Sequence, residues 1–275
     1  METIERRNDI TGLHELLLEM LLDIDAVCKR HEIPYLIAFG SMIGAVRHSG
    51  FIPWDDDVDL IMMRSDYERF LSVAEQEMDH DRYFVQKEMT KEWSRAFSKI
   101  RRNGTTFIES DMVPETEHQG CFVDIMPCDN LSVNRFVAKL QWIAAQSITA
   151  KTMRKRGFRN ITFKERMLLF LSALISTKRL HAFVIKRQLT DSPFVHCFFC
   201  CTHMETAMYP REHMTEIMSH EFEGYEVPIS KHYDAHLRQV YGDYMQLPPE
   251  KARLVAIHAR VFDLNKDYRE YLRGN

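Results

Sequence analysis

FIPWDDDVDLIMMR, from Phe51 to Arg64, sets four aspartates within five positions directly against an apolar run. An extended chain sends alternate side chains to opposite faces. A strand here therefore puts Asp55, Asp57 and Asp59 on one face and Asp56, Val58 and Leu60 on the other. With LIMM carrying the strand into the core, Asp57 and Asp59 are expected to be partly desolvated, where mutual repulsion costs kcal/mol rather than tenths. Something positive has to compensate. A hard divalent cation does so, because Mg²⁺ takes oxygen ligands and holds substrate phosphates to one or two carboxylates; Mn²⁺ is an alternative.

Three other readings compete. A solvated acidic turn sits poorly between Pro53-Trp54 and an apolar strand. A calcium loop matches DxDxD at its first ligands, but Leu60 stands where that loop needs glycine and Asp66 where it needs glutamate. The DxD motif of nucleotide-sugar glycosyltransferases is not excluded by the aspartates alone. The residues before them add information. YLIAFG (Tyr35 to Gly40) reads as a buried strand closed by glycine, and Ser41 to His48 as a short helix. A turn at Gly40-Ser41 then leaves backbone N–H groups free at a helix N-terminus, ready for an anion. A Gly-Ser pair by itself is usually only a turn. Followed about sixteen residues later by paired aspartates on the next strand, it has the layout of a nucleotidyltransferase fold, with phosphates between the turn and a metal.

The chain of 275 residues is 45% hydrophobic and 28% charged, enough for one large domain or two small ones. Its net charge of -4 gives no global pull toward nucleic acid, and none is expected as a partner. Six cysteines and a start, METIERRNDI, without a charged-then-apolar signal predict free thiols and a cytoplasmic protein. The longest apolar run, Met167 to Ile175, is about half of the roughly 20 residues that span a bilayer.

Periodicity predicts an amphipathic helix over Leu13 to Cys28. Ser65 to Glu68 has the form of a capping box, opening a helix that buries Tyr67, Phe70, Leu71, Ala74 and Met78. Strands are expected at Tyr83 to Met89, Ala96 to Arg102, Thr105 to Glu109 and Cys121 to Pro127, with a tight turn at Asn103-Gly104. Val133 to Leu189 reads as helical, Glu221 to Ile229 as a hairpin or a strand, and Tyr241 to Arg253 as turn-rich before a last helix. These segments predict an α/β protein with a mixed sheet: a catalytic core over 1–130, an inserted helical lobe over 131–204, and a segment over 205–275 completing the active-site domain.

Three further signals carry charge. In CFVDIMP, Asp124 is one charge within an apolar strand, and buried carboxylates are mostly paired or metal-bound. It suits a third metal ligand or a general base. Lys99 and Arg101 alternate on one strand face and Arg47 leaves the helix after Gly40-Ser41; all three can clamp phosphate, though each alone reads as a surface charge. HCFFCCTH (His196 to His203) lacks the spaced ligand couples of a zinc site and reads as core. The sixteen methionines read as interior packing.

LIAFGSMIGAVRHSGFIPWDDDVDLIMMRSDYERFL resembles the signature of the LicD-type phosphotransferase family, which includes the fukutin-related proteins. The likeness continues in FVDIMPCD, FEGYEVPIS and YGDYMQLPP, spanning most of the chain outside the helical lobe. It implies a nucleotidyltransferase-like core that moves an alcohol phosphate, phosphocholine foremost, from a CDP-linked donor to a glycan of a lipopolysaccharide or teichoic acid, releasing CMP. It also implies that Asp57 and Asp59 hold the metal, that Asp124 is the third carboxylate, that Arg47 binds substrate, and that Tyr241, Asp243 and Pro248 shape a pocket. His258 carries a weaker signal. The rival activities are a nucleotidyltransferase that releases pyrophosphate, a DxD glycosyltransferase, and a binding protein without catalysis, which the intact carboxylates disfavour. A lipid-linked acceptor makes the basic stretch through 151–175 a candidate peripheral contact with the cytoplasmic face of a membrane.

Overall fold

The structure, a computed structural model, describes residues 2–109, 116–157, 162–186, 192–200, 203–253 and 258–272, with side chains from residue 10 onward except at 252. Its first element is α1 (Glu2–Arg30), whose Leu13, Leu17, Met20, Leu21 and Ile24 are fully buried. The 3.6-residue spacing of these residues is the reason the helix lies flat on the core. Next come β1 (Leu36–Ile37), α2 (Phe39–His48), β2 (Asp59–Met63), α3 (Arg64–Glu77), β3 (Tyr83–Gln86), β4 (Ser98–Arg102), β5 (Thr106–Ile108) and β6 (Phe122–Asn130). Three helices follow, α4 (Arg135–Lys155), α5 (Phe163–Leu171) and α6 (Thr177–Lys186). The chain then forms β7 (Phe194–His196), β8 (Met208–Pro210), α7 (Glu212–Thr215), the hairpin β9 (Ile217–Phe222) and β10 (Tyr225–Ser230), and α8 (Tyr233–Tyr241). It closes with α9 (Glu250–Arg253), β11 (Val261–Asp263) and α10 (Tyr268–Leu272).

The main sheet is mixed and runs β1-β2-β6-β4-β3, with β7 paired to the last residues of β6 and β8 paired to β7. Among the described residues only β2 and β6 are parallel, and their register sets Asp59 opposite Asp124. The antiparallel pair β4 and β6 sets Lys99 opposite Asp124 as well. Helices α1 and α3 pack with the strands into one apolar cluster that includes Leu60, Tyr67, Phe70, Ile100 and Ile125. The mixed α/β class expected from the sequence is the class observed.

Several local expectations differ from the structure. The strand ending in YLIAFG keeps only Leu36–Ile37, because α2 already starts at Phe39 and takes Gly40 into its first turn. Ser65 does not cap α3. The helix begins one residue earlier, at Arg64, whose buried guanidinium binds both oxygens of Asp129 (2.8 and 3.1 Å) and Glu88 Oε1 (2.6 Å), so Ser65 lies inside the first turn. The turn at Asn103-Gly104 exists, with Gly104 at φ 71°, but it delivers β5 to β11 rather than back to β4. Free thiols hold for Cys28, Cys121 and Cys128, all buried, whereas Cys197 and Cys200 are joined by a disulfide. Cys201 of the same cysteine-rich stretch, and Arg159 of the basic run, lie outside the described residues. Among the described residues no helix is long and apolar enough to cross a membrane.

The hairpin of β9 and β10 explains the FEGY motif. Glu223, at φ 51°, donates its N–H to Ser49 O (2.8 Å) and accepts Phe51 N–H on Oε1 (2.9 Å), while Phe222 meets Phe51 edge to face. It pins the loop between α2 and the aspartates. Gly44 makes the same loop possible: a Cβ there would stand 2.4 Å from Gly50 O, so only glycine allows the backbones to meet.

The Arg64–Asp129 pair ties the start of α3 to the far end of β6. Removing one partner of a buried ion pair leaves an uncompensated charge. Asp129→Ala is expected to lower unfolding stability by about 3 kcal/mol in urea titrations; a loss below about 1 kcal/mol would show that Glu88 alone satisfies Arg64.

Candidate active site

The aspartate segment meets the sheet at one point. Residues 55–58 are irregular and β2 begins at Asp59, so the strict alternation expected for Asp55, Asp57 and Asp59 does not hold along the whole stretch. Carboxylate oxygens of Asp55, Asp56 and Asp57 all lie within 4.8 Å of one another. Asp59 stands beside Asp124 across the parallel pair, and Asp124 N–H donates to Val58 O (2.9 Å). Lys99 Nζ lies 3.0 Å from Asp124 Oδ1, an oxygen with no other partner. Lys99, Asp124 and Asp59 thus occupy neighbouring places across three strands.

Burial dominates the electrostatics. It pushes the Asp57 carboxyl up to about 7, helped by Asp55, Asp124 and Asp56 and opposed by Lys99. Asp59 is raised well above the usual carboxylate range by burial and then by Asp57 and Asp124. Asp55 rises to about 6 through burial and Asp56. Burial raises Asp124 too, against the pull of Lys99, and lowers Lys99 itself. One buried ammonium faces a group of carboxylates that repel one another, as the sequence led one to expect.

Helix α2 lies against the same point. Ala38 N–H donates to Asp59 O and Asp59 N–H donates to Ser41 Oγ, each at 2.9 Å, so the helix start is fastened to the first residue of β2. Phe39 takes φ 48°, an uncommon value for a bulky residue. The N–H groups of Phe39, Gly40 and Ser41 have no acceptor within the helix, which leaves them to an anion. Gly40 also makes room for Asp55: a Cβ at this position would sit 2.7 Å from Asp55 Oδ2.

Lys99 and Arg101 do share a face, but both are almost wholly buried. Arg101 donates to Gln86 Oε1 (3.0 Å) and Gly120 O (2.8 Å) and lies over the Phe122 ring, so it belongs to the framework around the site rather than to its open side. Trp93 stands at the centre of this framework, with Arg95, Lys99, Arg101 and Arg156 between 5.3 and 5.8 Å from its ring. Burial would raise Glu109, yet these four cations together hold it down at about 2. Arg156, at the end of α4, is bidentate to the buried Glu117 and so anchors the helices after β6 to this wall.

On the other side, Arg47 Nη1 donates to Tyr244 O (2.5 Å) and its Nε to His48. Arg253 reaches the face of Trp54 (5.7 Å), and burial followed by the nearness of Arg253 lowers Arg47. Tyr241 and Asp243 stand exposed at the end of α8 and just past it; the residue of YGDYMQLPP that reaches Arg47 is Tyr244. Asp56 is the least exposed aspartate of the DDDVD run. Its carboxylate accepts the His258 N–H and lies 2.7 Å from His258 Nδ1. Sequence reasoning did not single out Asp55, Asp56, Arg253 or Glu223 as site residues. The only signal for Asp55 and Asp56 was membership of the DDDVD run, and no local pattern joins His258 to it across some two hundred residues.

An all-carboxylate donor set suits a hard divalent cation, and the like charges crowded here are what such an ion would neutralise. The comparisons with known proteins agree on the region. Residues 32–131 match the family model described as LicD/FKTN/FKRP, nucleotidyltransferase domain. Over 241 residues the chain is 30% identical to the lipopolysaccharide cholinephosphotransferase LicD of Haemophilus influenzae, covering 85% of this chain and 90% of that protein. An uncharacterized protein of Rickettsia prowazekii is 27% identical over 110 residues, 40% of this chain and 38% of its own length. The family match contains α2, β2 and β6 with Asp55, Asp56, Asp57, Asp59 and Asp124, and the likeness to the Haemophilus protein extends through most of the remaining chain, so this protein belongs to the LicD family of phosphotransferases.

Proposed function

We propose that the protein transfers phosphocholine from a CDP-linked donor to a hydroxyl of a lipopolysaccharide glycan, with release of CMP. The observation that carries this reading is the meeting of the α2 N-terminus with the carboxylates of β2 and β6. One element offers amides to phosphate and the other offers oxygens to a cation. The Haemophilus relative, a lipopolysaccharide cholinephosphotransferase, suggests the substrate class. Asp57, Asp59 and Asp124 would hold Mg²⁺, with Asp55 beside them; when bound, the ion neutralises the carboxylates and draws charge from the diphosphate.

The chain's own residues do the positioning. N–H groups of Phe39, Gly40 and Ser41 bind phosphate oxygens, and Ser41 Oγ keeps that helix end fixed to Asp59. Arg253 lies over Trp54 and Arg47 is close enough to Arg253 to feel its charge, a pair suited to the anionic and aromatic parts of a nucleotide. Lys99 holds Asp124 in place. In the reaction the acceptor oxygen bonds to the phosphorus that carries choline, the bond from that phosphorus to the CMP oxygen breaks, and the hydroxyl proton passes to a carboxylate of the cluster. Asp124 is the carboxylate assigned to that proton or to the ion, and Asp124→Asn removes either role.

Incubation of the purified protein with CDP-choline, lipopolysaccharide and Mg²⁺ is expected to release CMP and to label the glycan. Asp57→Asn, Asp59→Asn and Asp124→Asn should each lower kcat/KM by about 10³-fold. Pyrophosphate release from CTP, with CDP-choline untouched, would replace this reading with nucleotidyl transfer. Gly40→Ala is expected to displace Asp55 and lower kcat about tenfold with the fold intact by circular dichroism; unchanged kinetics would remove the α2 N-terminus from the site.

A further inference from the structure

The helices that follow β6 carry a surface that a water-facing protein usually hides. On α5 only Leu168 is buried. Phe163, Met167, Phe170 and Leu171 recur at helical spacing toward solvent, and Leu174 continues them in the next turn; Phe163 is 78% exposed, Phe170 81% and Leu174 98%. Isolated exposed apolar residues are ordinary, but a contiguous row of large ones marks an interaction site. Near the start of α4, Val133 and Phe136 are exposed as well.

Charge distinguishes the partner. Residues 131–186 contain twelve lysines and arginines and a single acidic residue, Glu165, in a chain whose total charge is -4. Glu165 is engaged in a capping box with Thr162. Two of the cations are engaged within the protein, the buried Arg156 with Glu117 and the half-buried Lys151 donating to the carbonyls of Ser172 and Ile175. Arg154, Lys155, Lys164, Arg166, Lys178 and Arg179 are exposed. Lys164 lies with its ammonium over the Trp142 ring (4.5 Å), so cation and aromatic surface are interleaved. A second copy of the same face would set like charge against like. A partner that is both negative and able to take up apolar side chains to a shallow depth fits both features, and an anionic bilayer surface is one.

We propose that α5 and the turn after it, flanked by these cations, seat the protein on an anionic membrane surface. The apolar row enters the headgroup boundary and the lysines and arginines stay in the headgroup layer. Among the described residues no helix is long and apolar enough to cross the bilayer. The proposal stands on the exposed face alone and does not depend on which phosphate donor the active site takes; joined to a lipid-anchored glycan acceptor, it brings enzyme and acceptor to one surface.

Flotation of the full chain with vesicles tests it without any activity readout. Vesicles of phosphatidylglycerol and phosphatidylethanolamine are compared with vesicles of phosphatidylcholine, at low and at high salt. The protein is expected to float with the anionic vesicles at low salt and to be released as salt rises. Lys164→Glu with Arg166→Glu should weaken partition by about fivefold or more per charge. Phe163→Ser with Phe170→Ser and Leu174→Ser should weaken it at least about tenfold. All these positions are exposed, so unchanged thermal melts are expected and confirm that the variants are folded. Failure of the wild type to float at low salt, or flotation that neither set of changes reduces, would overturn the proposal. So would a stable dimer in solution that the serine variant turns into monomer, since the face would then belong to a protein partner.

Discussion

Repulsion among the carboxylates where the chain enters β2 is the constraint on which the site depends. Asp55, Asp57, Asp59 and Asp124 are brought together at a place where burial alone already penalises charge, and Lys99 is the ammonium that the sheet supplies against them. Folding therefore has to force these groups together, and much of the surrounding architecture can be understood as doing so. Ser41 ties α2 to Asp59, Glu223 pins the loop that leads to the aspartates, and His258 covers Asp56. A core with this arrangement is stabilised by whatever cation or cationic substrate complex reaches it. A cation of the kind proposed would use free energy that the fold holds as electrostatic repulsion.

A second pattern is the separation of charge within the molecule. The sheet and its flanks carry the acidic excess, while the helices after β6 are strongly basic. Arg156 joins the two, bidentate to Glu117 within the wall of cations around Trp93. That wall is buried, which is why Lys99 and Arg101, legible in the sequence as phosphate clamps, turn out to be internal. The alternation of SKIRR places both side chains on one face, but alternation cannot say whether that face is covered, and here Trp93, Phe97 and Phe122 cover it.

What the sequence showed clearly was whatever depends on near neighbours. The helical period of Leu13 to Cys28, the apolar strand LIMM and the glycine-turned hairpin at FEGY all appear in the structure, since each is set by local sterics and by one buried face. The charge excess in DDDVD was legible for the same reason. Less legible was anything that a distant partner decides. Ser65 looks like a cap, yet Asp129 draws Arg64 into the first turn of α3. Asn103-Gly104 looks like a hairpin, yet β11, from the far end of the chain, takes β5. Asp56 pairs with His258 and Arg47 with the carbonyl of Tyr244, contacts that no spacing rule reaches. The cross-strand placing of Asp59 beside Asp124 likewise needs the parallel register of β2 and β6, which follows from the fold and not from either strand alone.

We propose that Asp57 is held in a site where its charge is unfavourable until a cation arrives. The direct measurement is the difference in unfolding free energy between Asp57→Asn and the wild type, in chelator, as a function of pH. Taking the difference cancels the buried histidines His118, His196 and His236, whose lowered pKa values act in the opposite sense. The Asp57 carboxyl, raised to about 7 in the fold, is protonated and nearly equivalent to asparagine at low pH, and it loses stabilising effect as pH rises through that value. The variant is expected to exceed the wild type by roughly 4 kcal/mol near pH 8, the gap is expected to close below about pH 4, where the carboxyl is protonated in the folded and unfolded chain alike, and added Mg²⁺ is expected to raise the wild type alone. A variant that is less stable than the wild type in chelator at every pH, with no response of the wild type to Mg²⁺, would contradict it.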